Sequence, residues 1–371
     1  MNGASPLGGI RILDASVSLS GAFCCALLGR LGADVNRLEL AGDEAGGQSL
    51  FRDELLRTSE VYAPYIDRGK TPAPADPTTS RGREAIEALV ARADVLVTDR
   101  HRAELERLEL TAHDVATRHP TLVLVAISPF GSSGPRAGFT ASDLTLYHGG
   151  GPGHATPGLV SDPAAMAPLR LGSHQGSFVS GLVAAINVCV AVLVRERQPE
   201  LGPVSVDFSC HEAMASVFRM SLGSFAFYGG GLSRDLARGR GAGGTVEHRN
   251  ICCRDGFVNL SWAGVQQWDS LKDLLGRPGW MEDERLETPA LRYRNWALIV
   301  PQLEAWALEH DKEEIFYLCQ GHRIPCSPVN EGADLLRSEV LESRGFWDTS
   351  TDGPTPIRLP GAFSRVVVPQ D

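Results

Sequence analysis

Short apolar runs alternate with amphipathic stretches along the first part of the chain. Residues 9–16, "GIRILDAS", form a brief apolar run that ends at Asp14 and predicts a first strand. In "GAFCCALLGRLGADVNRLEL", which follows, Phe23, Leu27, Leu28 and Leu31 recur at helical spacing, Gly32 closes the helix, and "DVNRLEL" is the next strand. Strand, helix and strand within so short a span make a βαβ unit. The pattern returns: "RGREAIEALVARA" predicts a helix, "DVLVTD" a strand, "ELERLELTAHDVATRH" helix, and "LVLVAISPF" a strand. Such alternation predicts an α/β fold, a parallel sheet with helices on both faces.

Elsewhere the pattern weakens. Residues 41–80 are rich in Gly, Pro, Ala, Asp and Thr ("TPAPADPTTS") and read as a surface loop. Residues 129–168 are again rich in Gly and Pro, too long for a bland connection. The apolar run "FVSGLVAAINVCVAVLV" (178–194) predicts a long buried helix, and "PVSVDFSCHEAMASVFRMSLGSFAFY" a strand and then a helix. "GGGLSRDLARGRGAGGT" is a flexible basic segment. From about residue 250 the texture changes: "NICCRDGFVNLSWA" reads as a hairpin turning at Asp-Gly, and the helical segments "QQWDSLKDLLGR", "NWALIVPQLEAWALEH" and "KEEIFYLCQGH" follow. These predict a smaller α+β domain. The expected boundaries are 1–215 for the large domain, 216–245 for a Gly-rich linker, 246–335 for the small domain, and 336–371 for a segment returning to the large one.

Composition narrows the function classes. The 371 residues are 43% hydrophobic and 22% charged, ordinary for a globular chain. A net charge of -10 argues against nucleic acid or an anionic membrane as partner. The N-terminus lacks the basic and apolar regions of a signal peptide, and the 178–194 run carries Ser180 and Asn187 and reads as core rather than as a membrane span. The eight Cys include the adjacent pairs Cys24–Cys25 and Cys252–Cys253, but show neither C-x-x-C nor zinc spacing. A reduced, cytoplasmic protein without a structural metal is expected. The residues after the first strand, "SVSLSGAF", do not spell the Gly-rich dinucleotide fingerprint, so NAD is not expected either.

Taken in order, several phrases resemble the class III CoA-transferase family, the CaiB/BaiF type. They are "PLGGIRILDASVSLSGAFCCALLGRLGADVNRLEL", "GREAIEALVARADVLVTD" with "LERLEL", "LVLVAISPFGSSGPRAGFTASDL" with Pro129 where Gly is usual, "DGFVNLSWAGVQQWDSLKDLLGRP", "RIPCSPVN" and "RLPG". The resemblance runs from about residue 6 to 365. It implies a large Rossmann-like domain, a small domain, an interlocked dimer and acyl-CoA substrates. It also implies an Asp nucleophile that takes the acyl group and then holds CoA as a thioester. Covalent catalysis of this kind needs a carboxylate, because a serine ester cannot afterwards carry CoA. The resemblance also implies a C-terminal helical stretch well past "RLPG", which is followed here by "AFSRVVVPQD".

The resemblance places that Asp at the start of the long apolar helix, and there this sequence has Ser177. No Asp or Glu occurs from Gly172 to Val194, and Asp162 is the nearest upstream acid in sequence. No catalytic residue is therefore expected for CoA transfer. Ser177 also suits a helix N-cap. The family's racemases are disfavoured, because Ser142 precedes Asp143 where a His is expected; Asp143 itself suits orienting a loop. The resemblance thus implies a non-catalytic subunit paired with an Asp-bearing paralogue. The alternatives are an active acyl-CoA enzyme, as a transferase with another carboxylate or a thioesterase using Ser177 and His174, and an acyl-CoA-binding homodimer. CoA or acyl-CoA is the expected ligand, with Arg37, Arg68, Lys70, Arg100 and Arg102, and also Arg11, as basic residues near strand ends. The segment "YGGGL" (228–232) is a candidate mobile loop, and Phe178, Phe227 and Tyr228 suit an apolar acyl chain.

Overall fold

The computed structural model describes residues 5–41, 43, 62–156, 160, 162, 164–229, 248–262, 264–350 and 356–364. The chain divides into two units, Met1–Gly223 with Gly345–Asp371, and Ser224–Arg344.

The first unit begins with β1 (Arg11–Asp14), α1 (Leu19–Arg30), β2 (Asp34–Leu40), α2 (Ala63–Ile66), β3 (Thr71–Ala75), α3 (Ser80–Arg92) and β4 (Val95–Thr98). It continues with α4 (Arg102–Leu108), α5 (Ala112–Arg118), β5 (Val123–Ser128), α6 (Asp143–Gly149), α7 (Pro152–Ala155), α8 (Gln175–Arg197), β6 (Ser205–Ser209) and α9 (Cys210–Val217), and the division between the units falls within α10 (Arg219–Tyr228). The six strands form one sheet in the order β3-β2-β1-β4-β5-β6, and every pairing is parallel. The order reverses between β1 and β4, the place where open α/β sheets receive ligands.

Period-two alternation puts the central strands in contact with both layers. Ile12, Val95, Val97, Val123, Val125 and Ile127 join the core that contains α1 and α8. Leu13, Leu96 and Leu124 point the other way, into the core with Ile86 and Val90 of α3 and Val115 of α5. Helix α8 lies across the first face beside α1. Gly181 permits this approach, since a Cβ there would come within 2.6 Å of the Ser20 carbonyl oxygen. Arg195, near the C-terminus of α8, donates to the carbonyl oxygens of Asp94 and Thr121 at the entries to β4 and β5. The start of α8 therefore lies towards the strands' C-terminal ends. By length and composition this 23-residue helix could cross a membrane, but here one face is buried in the core while Leu182, Ile186, Val190 and Leu193 are exposed.

Several local expectations are corrected. "TPAPA" is not loop but strand β3, and its place at the sheet edge explains how Pro72 and Pro74 are tolerated, since Pro brings no N–H to a ladder. Residues 42 and 44–61 of the expected loop lie outside the described residues. The helical reading of 104–119 breaks into α4 and α5, because Glu109 turns left-handed at φ 57° and Thr111 with Asp114 opens a new helix through a capping box. The long Gly/Pro-rich stretch contains α6 and α7. The expected linker at 216–245 is helical through Tyr228, while 230–247, including most of "YGGGL", lie outside the described residues.

The second unit holds β7 (His248–Cys253), β8 (Gly256–Ser261), α11 (Val265–Leu274), α12 (Pro289–Arg294), α13 (Trp296–Ala307), α14 (Lys312–Gly321), β9 (Cys326–Pro328), α15 (Gly332–Arg337) and α16 (Glu339–Ser343). β7, β8 and β9 form an antiparallel sheet over a core that includes Trp262, Trp268, Leu271, Leu303 and Ile315. The hairpin turns at Arg254 and Asp255, with Gly256 already paired to Cys253, one residue earlier than the Asp-Gly reading places it. The return segment adds the antiparallel pair β10 (Trp347–Ser350) and β11 (Ile357–Pro360) to the first unit.

Candidate functional site

Each of the two helix starts on the α1–α8 face carries a buried carboxylate brought from elsewhere in the chain. At α1 it is Asp99, just past the end of β4. Its Oδ1 accepts from the Val17 N–H at 2.6 Å and its Oδ2 from the Ser18 N–H at 3.0 Å and from the Ser18 hydroxyl. Asp99 is 1% exposed, and Gly21 clears room for it, since a Cβ there would meet Asp99 Oδ2 at 2.6 Å. A helix N-terminus attracts anions. At the switch point of this sheet the protein's own Asp99 takes that place.

Beside it, Asp14 ends β1. Its Oδ1 accepts from the Ser16 N–H and hydroxyl, and its Oδ2 from Lys70 Nζ at 2.9 Å. Lys70 Nζ also reaches Asp67 at 3.0 Å and the Ala22 carbonyl oxygen, and its side chain is 2% exposed. Asp67 in turn accepts from Arg37 at 2.8 Å. Arg100, buried, binds both carboxylate oxygens of Asp43 at 2.7 Å, Glu104 at 2.6 Å and the Ala15 carbonyl oxygen. Of the expected ligand cations, Lys70 and Arg100 are thus engaged inside the protein. Arg37 is partly exposed beside Asp67 and Glu39, Arg68 faces Asp348 at 3.5 Å, and Arg102 is exposed beside Glu106. Arg11 pairs with Asp94 at 3.0 Å near the opposite ends of the strands.

The start of α8 is built differently. Ser177 is not the N-cap; that position falls to His174, and Ser177 is the third residue of the helix. Its N–H donates to Asp143 Oδ1 at 2.8 Å. Asp143 opens α6, is 1% exposed, and places its other oxygen 3.4 Å from Arg170 Nη1. In sequence the nearest upstream acid is Asp162, but in space Asp143 is the carboxylate bonded to this helix start. The Ser177 side chain, in a residue 3% exposed, has no hydrogen-bond partner among the described residues, and no hydrogen bond joins it to His174. Instead His174 Nδ1 lies 2.9 Å from the Tyr62 hydroxyl, with the rings edge to face. Tyr62 also packs on Phe178, which meets Phe23 edge-on at 4.7 Å. Burial raises the Tyr62 phenol above its ordinary pKa, and the Asp143 charge adds to this while Arg170 opposes it. Ser173 and His174 both adopt left-handed backbone, at φ 64° and 54°, a conformation that non-Gly residues rarely take. Phe227, the other described aromatic of the expected acyl pocket, is exposed. Among the described residues no group of His, Cys, Asp and Glu is arranged to hold a metal ion.

Tyr62, Arg170 and the linking role of Asp143 escaped the sequence reading, and only the aromatic "VYAPY" preceding "DRGK" hints at Tyr62. The fold and these strand-end sites define a doubly wound α/β protein with a separate α+β unit. A family model described as CoA-transferase family III matches residues 7–367, and the chain belongs to that family. It is 28% identical over 350 residues to a formyl-CoA:oxalate CoA-transferase of Streptomyces coelicolor, covering 91% of this chain and 83% of that protein. It is 26% identical over 375 residues to a succinyl-CoA:mesaconate CoA-transferase of Haloarcula hispanica, covering 98% and 88%. In structure it resembles a CaiB/BaiF family protein from Brucella suis, with TM-score 0.78 and 23% identity over 92% of this chain and 89% of that one. Rv3272 from Mycobacterium tuberculosis gives TM-score 0.77 and 22% identity over 99% and 96%.

Proposed function

We propose that this chain is a non-catalytic subunit of a heteromeric acyl-CoA:carboxylate CoA-transferase. Its partner is an Asp-bearing paralogue, which the chain helps to complete or stabilise in the cytoplasm, through the interlocked pairing that the family resemblance implies. The observation that carries the reading is the start of α8. The side chain offered there is the Ser177 hydroxyl, and the carboxylate beside it, Asp143, is buried and already bonded to the Ser177 N–H. A serine can accept an acyl group but cannot then carry CoA as a thioester, so the two-stage exchange cannot run on it. The names of the relatives support CoA thioesters as the ligand class. CoA would meet the cations that reach the surface, Arg37, Arg68 and Arg102, whereas Lys70 and Arg100 shape the site from within.

Native mass spectrometry of the protein taken gently from its own cells tests this. A complex with an Asp-bearing relative is expected. A homodimer alone, active in CoA transfer, contradicts the reading. Ser177→Asp in the isolated chain is expected to restore little transfer, because the CoA contacts have diverged as well: Lys70 and Arg100 are engaged with Asp14 and Asp43 inside the protein.

A further inference from the structure

We propose that Cys319 and Cys326 of the second unit form a peroxide-sensitive dithiol, an oxidative modification site that closes to a disulfide between α14 and β9. This site is independent of the subunit reading and of any acyl-CoA ligand.

The backbone brings the two residues together. Cys319 lies in the last turn of α14, and that helix ends in a Schellman turn. The Ile324 N–H returns to the Cys319 carbonyl oxygen at 2.9 Å, and the Arg323 N–H to the Gln320 carbonyl oxygen at 3.0 Å, with Arg323 left-handed at φ 57°. The chain thus folds back at the helix end, and β9 begins at Cys326, opposite Leu260 of β8. Cys319 is fully buried in the core of the second unit with Leu260, Ile315 and Ile324, and Cys326 packs, half-buried, against the same cluster. There the two thiols hydrogen-bond to one another. Cys252 and Cys253 are different: they are consecutive in β7, where period two sends their side chains to opposite faces.

The two sulfurs are not equivalent. The bond to Cys326, together with burial, holds the Cys319 thiol above its ordinary pKa. The same bond draws the Cys326 thiol below its ordinary value, against the effect of its burial. Thiolate is the form that attacks, and Cys326 is also the sulfur that an oxidant can reach. Cys326 is therefore the reacting residue and Cys319 the resolving one.

The co-reactant is hydrogen peroxide. The Cys326 thiolate attacks one peroxide oxygen and the O–O bond breaks. The other oxygen leaves as hydroxide and takes up the proton that Cys326 had released, giving water. Cys326 is now a sulfenic acid. The Cys319 sulfur attacks the Cys326 sulfur, the S–S bond forms, and the S–O bond breaks. Hydroxide leaves with the Cys319 proton as a second water. Two thiols are oxidised and one peroxide is reduced to two waters. The product ties β9, a three-residue strand at the edge of its sheet, to the end of α14. Disulfides of this kind in a reducing compartment are commonly transient and redox-sensing.

The test treats the full reduced chain with hydrogen peroxide under native conditions, blocks the remaining thiols with N-ethylmaleimide, and maps tryptic peptides without reductant. Arg323 is the one tryptic site between the two Cys. The disulfide is therefore expected as two linked peptides, lighter than their sum by two hydrogen atoms and separated by dithiothreitol. Cys326 is expected to lose its free thiol about tenfold faster than the buried Cys24. Cys319→Ala is expected to leave a sulfenic acid on Cys326 that dimedone labels, and Cys326→Ala to leave Cys319 unlabelled. No linked peptide, or one formed only after unfolding in urea, overturns the proposal. So does a Cys326 that reacts no faster than Cys24, or dimedone found on Cys319. The linked peptide and the rates are read on the wild type, so the outcome does not depend on either variant folding.

Discussion

The starts of α1 and α8 are close neighbours, and both receive a buried carboxylate from a distant part of the chain. At α1 the carboxylates are closely matched, although the Ser20 hydroxyl in the first turn is buried without a hydrogen-bond partner among the described residues. Asp99 is matched by the Val17 and Ser18 N–H groups and the Ser18 hydroxyl, and Asp14 by Ser16 and Lys70. At α8 the carboxylate meets a weaker cation contact. Asp143 takes the Ser177 N–H and a long contact to a partly exposed Arg170. The backbone leading into α1 is relaxed, with Ser18 at φ -89°, whereas the backbone leading into α8 is left-handed at Ser173 and His174. The two starts thus differ in the cation that meets the carboxylate, buried Lys70 beside α1 and partly exposed Arg170 at α8, and in the left-handed backbone that leads into α8.

Substitutions should separate the two along this line. The largest loss belongs to the closed side. Lys70→Ala leaves the buried Asp14 carboxylate without its cation and is expected to cost about 3–5 kcal/mol, read as a lower urea midpoint at unchanged slope. Asp143→Asn removes the anion from the α8 start and weakens its hydrogen bonds from the Ser177 N–H and Arg170, at an expected cost of about 1–2 kcal/mol. A loss as large as that of Lys70→Ala would mean that the α8 start is as tightly closed as the α1 start. The smallest effect has the opposite sign. His174→Gly relieves a left-handed residue and should stabilise the chain by about 1 kcal/mol, less what the Tyr62 bond contributes, seen as a higher Tm. A clear loss of stability there would show that the imidazole's contacts with Tyr62 outweigh the backbone strain.

The contrast also explains which parts were legible in the sequence. Strands such as β4 and β5 are apolar on both faces because both faces are covered, so "VLVT" and "VLVAIS" announce themselves. β3 does not, because an edge strand needs no such run and here carries Pro72 and Pro74. Ser177 stood out from its frame, but its contact to Asp143 spans 34 positions and the Tyr62–His174 contact 112, and no periodicity encodes either. Lys70 and Arg100 looked like ligand contacts because a basic residue near a strand end has that role in open sheets. Their carboxylate partners Asp14 and Asp43 lie 56 and 57 positions away, and only the fold reveals that the charges are spent on one another.

The central claim is that no carboxylate of this chain serves as the nucleophile of CoA transfer. Intact-mass spectrometry of the full chain, incubated with an acyl-CoA and a free carboxylic acid and quenched in acid, tests it most directly. The unmodified mass is predicted throughout. A CoA thioester mapped to Asp143, and lost in Asp143→Asn, would contradict the claim and make that residue the transferase nucleophile.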